Sequence, residues 1–132
     1  MFKRQVLCAL PFLFPATVFA QDAAEKAFTD EIIQCAAYYE IASEAISAMN
    51  APQMAAVGDR LKVSQADAIT LAEKYRSPEQ VKTDVAAQKQ VEIEKLAGST
   101  QLGALMNQYK DLCKKVVYDP QKRLDYWIMA TM

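Results

Sequence analysis

The apolar and polar positions along this chain repeat with the period of an α-helix in five successive segments. The clearest repeat comes first, where apolar positions follow one another in steps of four and three over about six helical turns. This stripe consists of Phe28, Ile32, Cys35, Tyr39, Ala42, Ile46 and Met49. The alternating pattern of a half-buried β-strand is missing from the sequence. The pattern therefore predicts a long first helix that ends near residue 49.

Proline sets off the second and third segments. Asn50-Ala51-Pro52 ends the first helix, and a second helix is expected over about residues 52–75, with Gly58 weakening its beginning. Ser77 is a good N-cap and Pro78 fits the first helical position, so a third helix should begin there. This helix is the most polar and is expected to be the most exposed. Its predicted anchors are Val81, Val85, Ile93 and Leu96.

The last two segments complete the predicted architecture. A fourth helix is expected over about residues 101–118, and Asp119-Pro120 begins a short fifth helix that reaches Ala130. Four long helices joined by short loops are typical of an antiparallel bundle. We therefore predict an all-α fold, an up-down-up-down four-helix bundle with a short C-terminal extra helix.

Composition limits both size and chemistry. The 132 residues suffice for one domain, and the apolar content of 52% allows a real core. Histidine is absent, which removes the commonest general base, metal ligand and pH switch. The net charge is −1, with no basic patch, so we expect no nucleic-acid partner.

The first twenty residues read as a secretory signal peptide. Lys3 and Arg4 precede an apolar run over residues 6–14, and Val18-Phe19-Ala20 offers a cleavage site after Ala20. The run is shorter than the roughly 20 residues that span a membrane, which disfavours an anchor. We expect a mature chain of residues 21–132 that forms a single helical domain. It should be periplasmic or secreted, without stable membrane insertion.

Two cysteines remain after the predicted cleavage, Cys35 and Cys113. An even count in an oxidising compartment suggests a disulfide. The first and fourth helices are neighbours in the expected bundle, and the two cysteines lie at depths of about 21 and 20 Å from one end, at about 1.5 Å per residue. We predict that they pair. Two separate buried thiols are the alternative, whereas a redox-active pair is disfavoured because there is no Cys-x-x-Cys motif.

Metal sites have weak support. Glu40 and Glu44 share a helix face, but a bundle di-metal site also needs Glu-x-x-His pairs, so we expect a solvated outer face. Met49, Met54 and Met106 should lie near one end of the bundle, where three thioethers could hold Cu(I). Methionine is more often a filler of irregular core gaps. No metal or cofactor is predicted.

Aromatic residues mark the candidate surface for a partner. Tyrosine and tryptophan are enriched at interface hot spots, although they also pack over bundle ends with a polar tip in water. The candidate residues are Tyr38, Tyr118, Tyr126 and Trp127. The tail over residues 119–132 is the preferred place for a partner, because it is apolar and too short to bury itself.

The sequence lacks the motifs of several common enzyme and cofactor classes. There is no haem attachment motif, no glycine-rich phosphate loop and no Gly-x-Ser-x-Gly elbow. We therefore predict a non-enzymatic protein that binds another periplasmic protein, as an inhibitor, immunity protein, chaperone or assembly factor does. The alternative is a carrier of a small apolar ligand or of Cu(I) in the bundle core.

Overall fold

The computed structural model describes residues 16–96 and 102–132, with side chains from residue 22 onward. These described residues are helical and contain no strand, which confirms the all-α prediction. The helices are α1 (Ala16–Ala48), α2 (Ala55–Ala72), α3 (Pro78–Lys95), α4 (Leu102–Tyr118) and α5 (Pro120–Ala130), and a 3₁₀ turn (Pro52–Met54) precedes α2. Most of the predicted leader, residues 1–15, lies outside the described residues, and the start of α1 covers its last five.

Helix α1 lies at the centre of the fold and contacts each of the other four helices. Six residues of its predicted stripe are buried, whereas Met49 at the end is 58% exposed. Ala36, Ala37 and Tyr38, on other faces of the same turns, are buried too. Burial on several faces is typical of a helix in an interior, although the exposed Lys26 and Glu44 show that part of α1 faces solvent. Contacts between helices therefore centre on α1, whereas a regular four-helix ring would share them among neighbouring pairs.

Local sequence explains the junctions around α2. Asn50 has φ of 50°, the left-handed conformation that commonly ends a helix, just after α1. Gly58 lies inside α2 and is buried, and a Cβ there would come within 3.3 Å of the Ile46 Cγ2 atom. Glycine at this position thus permits a close approach of α2 to α1, rather than delaying the start of the helix.

The core face of α3 differs from the prediction. Val81 and Val85 are buried as expected, but the predicted anchor Ile93 is 43% exposed and its neighbour Glu92 is 1% exposed. The Tyr109 hydroxyl donates to Glu92 Oε1 at 2.5 Å, and Gln88 Nε2 donates to the same oxygen at 2.8 Å. The face of α3 that packs on the core therefore includes polar residues that hydrogen-bond to one another. For this reason the spacing of apolar residues does not identify that face.

Cys35 and Cys113 lie at disulfide distance, in agreement with the predicted pairing. The Sγ atoms of Cys35 in α1 and Cys113 in α4 are 2.17 Å apart, and their Cα atoms are 5.4 Å apart. Both residues are fully buried. One turn away, the rings of Tyr38 and Tyr109 stack with centroids 5.7 Å apart. Helices α1 and α4 are therefore joined by stacked aromatic rings as well as by the close contact of the two sulfur atoms.

Candidate functional site

A buried carboxylate on α1 holds helix α5. Glu31 is 6% exposed and accepts two hydrogen bonds from Arg123, at 2.8 Å from Nε and 2.6 Å from Nη2. The indole Nε1 of Trp127 donates to the same carboxylate at 3.0 Å. A guanidinium that donates two hydrogen bonds to one carboxylate fixes the relative orientation of the two side chains as well as pairing their charges. One face of α5 is therefore docked on the protein's own core.

The opposite face of α5 is exposed and apolar. The helix contains no fully buried residue, Tyr126 is 50% exposed and Met129 is 75% exposed. Lys115, Lys122, Tyr126 and Met129 line a shallow cleft of about 470 Å³ between the end of α4 and α5, and we call these four residues the C-terminal surface. Asp119, Arg123 and Asp125 line the same cleft. Met132, directly beyond the helix, is 90% exposed.

Charge distinguishes this end of the chain from the rest. Residues 102–132 carry five lysines and arginines against three carboxylates, whereas residues 22–96 carry eight against thirteen. Within the described residues Lys115 and Lys122 make no salt bridge. The cleft therefore combines exposed apolar side chains and two unpaired lysines with two carboxylates, those of Asp119 and Asp125.

The structure separates the four aromatic residues that the sequence grouped as a partner surface. Tyr38 is only 1% exposed, so its assignment to an exposed surface was wrong; α2 and α4 cover the side of α1 on which it lies. Trp127 is half-buried because its indole binds Glu31. Tyr118 is 55% exposed, but its hydroxyl lies 3.0 Å from Ser64 Oγ and donates to Asp67 at 2.8 Å. Tyr126 alone of the four lies on the C-terminal surface.

The sequence analysis missed Met129 and the docking role of Arg123. Assigning the residues of this short helix to separate stripes from their spacing in the sequence could have identified both. Lys122, Tyr126 and Met129 follow one another in steps of four and three, whereas Arg123 and Trp127 lie four apart on the neighbouring stripe. The two stripes are the exposed and the docked faces of α5.

A second candidate site is a groove between α2 and α4, with α1 beneath it. Tyr38 and Tyr39 contribute rings from α1, and the groove has a volume of about 700 Å³. Its apolar lining from α2 and α4 comprises Val57, Leu61 and Met106. Arg60, Lys110 and Lys114 are exposed and also line it. We call this site the α2–α4 groove.

The acidic residues singled out in the sequence have a structural partner. Lys89 of α3 contacts Glu40 Oε1 at 3.1 Å and Glu44 Oε1 at 2.8 Å. The two glutamates therefore share a face as predicted, but that face joins α1 to α3 and is not a free outer surface. Among the described residues no three Cys, Asp or Glu side chains are grouped as metal ligands would be.

The three candidate methionines occupy different surroundings. Met106 lines the α2–α4 groove and is half-buried. Met49 is exposed beyond the end of α1, and Met54 is half-buried in the 3₁₀ turn. A thioether site for Cu(I) stays a prediction, since it would have to bring these three sulfurs together.

Burial changes the titration of a tyrosine in the α2–α4 groove. It raises the pKa of Tyr39 from 10.0 to about 12, with smaller contributions from Tyr118 and Tyr38. Because the folded state holds this proton more tightly, its contribution to stability is complete below about pH 10 and is lost as the pH rises towards 12. We expect Tyr39→Phe to make the free energy of unfolding fall less steeply over that range. Urea denaturation at several alkaline pH values measures both slopes, and equal slopes would contradict this assignment.

In the described part of the chain no helix has the length and apolar character needed to cross a membrane. Comparison with protein-family models, curated proteins and solved structures finds no match to this chain. Its function is therefore inferred from its own residues.

Proposed function

We propose that this chain is an exported, non-enzymatic protein that binds another periplasmic protein through the C-terminal surface. The observation that carries the proposal is the two-sided character of α5. One side is bound to Glu31 through Arg123, whereas the other side exposes Tyr126 and Met129 to solvent. Export is supported by the leader-like residues 1–20. A non-enzymatic role is supported by the absence of histidine and of nucleophile motifs from the sequence.

The chemistry of the C-terminal surface indicates the kind of partner. A flexible thioether and a tyrosine ring adapt to an apolar recess, and both residue types are enriched in interface cores. Lys115 and Lys122 favour carboxylates around that recess, and Asp119 and Asp125, which line the same cleft, favour lysines or arginines there. We therefore propose as the partner a protein surface with a small apolar depression and charges of both signs around it. This proposal covers an inhibitor, an immunity protein, a chaperone or an assembly factor.

The scaffold proposal is that α1 to α4 run alternately up and down. Contacts along the chain support it, because pairs between α1 and α2 run in opposite order: Ile46 lies beside Gly58, and the Phe28 ring meets that of Tyr75, just past α2, at 5.7 Å. Between α1 and α3 the order is the same, since Arg76 bridges Asp30 and Asp84. Further along both helices Glu40 pairs with Lys89. A rigid scaffold of this kind would present α5 in one orientation.

Capture from a periplasmic extract tests the protein-binding proposal when it is paired with surface variants. The bait is tagged mature chain, residues 21–132, and the test variants are Tyr126→Ser/Met129→Ser and Lys115→Glu/Lys122→Glu. We expect one stoichiometric partner with wild type and at least about a tenfold loss with either variant, because hot spots carry most of the binding energy.

The matched control is Lys110→Glu/Lys114→Glu, which makes the same charge change on the same part of the chain but in the α2–α4 groove. This control should capture the partner as wild type does. A partner retained equally by all three variants would remove the C-terminal surface from the proposal. No partner with wild type would remove the protein-binding role.

A second candidate function is favoured by a specific observation, the α2–α4 groove. The alternative from the sequence was a carrier of a small apolar ligand or of Cu(I). A concave site of about 700 Å³ with aromatic rings falls in the range of small-molecule sites. It supports the carrier of an organic ligand more directly than a carrier of Cu(I).

A further inference from the structure

We infer that the α2–α4 groove binds a fatty carboxylate: an unbranched apolar chain lying along Val57, Leu61 and Met106, with its carboxylate held by Arg60, Lys110 and Lys114. This inference rests on the carrier function and is independent of the C-terminal surface. It follows from three features of the groove, namely its apolar interior, its unpaired cations and a tyrosine hydroxyl that has no partner among the described residues.

The interior of the groove suits an aliphatic chain. Tyr38 and Tyr39 form the floor of the groove but are only 1% and 5% exposed. The apolar surface open to a ligand therefore comes mainly from the half-buried side chains of Val57, Leu61 and Met106. Burying methylene groups against such a lining is favourable in proportion to the area removed from water. The lining residues of α4 extend from Met106 to Tyr118, about 18 Å along the helix at about 1.5 Å per residue, so the groove is elongated and suits an extended chain.

The cations of the groove have no carboxylate partner within the described residues, a property that they share with Lys62, Lys74, Lys82, Lys115 and Lys122. Several others already bind carboxylates within the described residues: Lys26, Arg76, Lys89, Lys95 and Arg123. In the same part of the chain Arg60, Lys110 and Lys114 make no salt bridge.

Carboxylates near the groove leave these cations available. Asp67, at the Tyr118 end, accepts the Tyr118 hydroxyl and makes no salt bridge within the described residues. Three unpaired positive charges converging on one apolar groove favour an anion. A ligand with a single acidic end and an apolar body matches both halves of this site.

The hydroxyl of Tyr38 supports a ligand in the groove. Its ring is packed between those of Tyr39 and Tyr109, and among the described residues the structure gives its hydroxyl no hydrogen-bond partner. In the same part of the chain no completely buried side-chain oxygen lacks a partner, so this oxygen must retain some access to the groove that Tyr38 lines. Polar groups in such covered positions are nearly always hydrogen-bonded. A carboxylate oxygen of a bound ligand, or a water that it retains, would complete the bonding of Tyr38.

Isothermal titration of the mature protein with octanoate, decanoate and dodecanoate, below their micelle concentrations, tests the inference. We expect one site per chain, with affinity rising by up to about fourfold for each added methylene. Dodecyltrimethylammonium, which has the same chain and the opposite charge, should bind at least about tenfold more weakly than dodecanoate. Equal affinity for the two amphiphiles, or no saturable binding of dodecanoate, would overturn the inference.

Two variants locate the site. Lys110→Glu/Lys114→Glu should weaken dodecanoate binding by about tenfold or more, because attraction becomes repulsion at two positions. Tyr38→Phe keeps the ring and removes the hydroxyl, so it should weaken binding by about threefold while leaving the thermal midpoint nearly unchanged. Unchanged affinity in both variants would place any bound amphiphile elsewhere and overturn the assignment.

The control variant separates this inference from the protein-binding proposal. Lys115→Glu/Lys122→Glu carries the same charge change outside the groove and should bind dodecanoate within about twofold of wild type. That variant is expected to lose the protein partner, whereas Lys110→Glu/Lys114→Glu is expected to keep it. Failure of either function therefore leaves the test of the other intact.

Discussion

Replacing Cys35 and Cys113 together by alanine is expected to lower the free energy of unfolding by about 2 to 5 kcal/mol. The two residues are 78 positions apart, and closing a loop of that length is worth about 4.5 kcal/mol by the chain-entropy estimate. The unfolded state of the variant gains this freedom, whereas the native contacts of α1 and α4 remain. Urea denaturation of the oxidised wild type and of the double variant measures the difference.

Single replacements distinguish a disulfide from two buried thiols. If the sulfurs are bonded, Cys35→Ala and Cys113→Ala should each destabilise the protein almost as much as the double replacement, because either one opens the loop. Reduction should likewise destabilise wild type and leave the double variant unchanged. Single effects that simply add up to the double effect would contradict the disulfide.

Replacing Arg123 by alanine is expected to release α5 from α1. The variant leaves the Glu31 carboxylate, 6% exposed, with only the Trp127 indole as a donor, and breaking a buried ion pair costs about 3 kcal/mol or more. Detachment lets water reach Glu31, so the loss should appear as local opening rather than as global unfolding. Trp127 is the only tryptophan, and its emission should shift to the red. Amide hydrogen exchange in α5 should accelerate by about a hundredfold.

Two substitutions in the same helix control this experiment. Arg123→Lys keeps the charge but loses the two-pronged geometry, so it should fall between wild type and Arg123→Ala. Lys122→Ala removes an exposed cation next in sequence and should leave the emission of Trp127 unchanged. If Arg123→Ala also left that emission unchanged, packing of the indole and not the ion pair would hold α5.

The docking of α5 also bears on the protein-binding proposal. The C-terminal surface is formed from α5 together with Lys115 at the end of α4. Release of α5 would separate Tyr126 and Met129 from that lysine. Arg123→Ala should therefore weaken partner capture by releasing α5, and also because Arg123 itself lines the cleft, with its guanidinium carbon 4.2 Å from the centre of the Tyr126 ring.

Much of the fold could be predicted from the sequence because helix formation depends on local information. The spacing of apolar residues, the prolines and the caps locate the helices within a few residues, as Ser77 does for α3. The pairing of Cys35 with Cys113 could also be predicted, since counting residues along two helices gives their depths. Residue types that are absent from the whole sequence, histidine above all, limit the possible chemistry whatever the fold.

Tertiary structure alone decided which polar residues are buried and which aromatic residues are covered. No local pattern distinguishes Glu31 and Glu92, both in the interior, from the many exposed glutamates, because their burial depends on donors brought in by α4 and α5. Tyr38 has the same helical periodicity as an exposed residue, yet it is covered because α1 became the central helix, which contacts each of the other four. Periodicity reports which residues share a face, whereas only packing determines how many faces are covered.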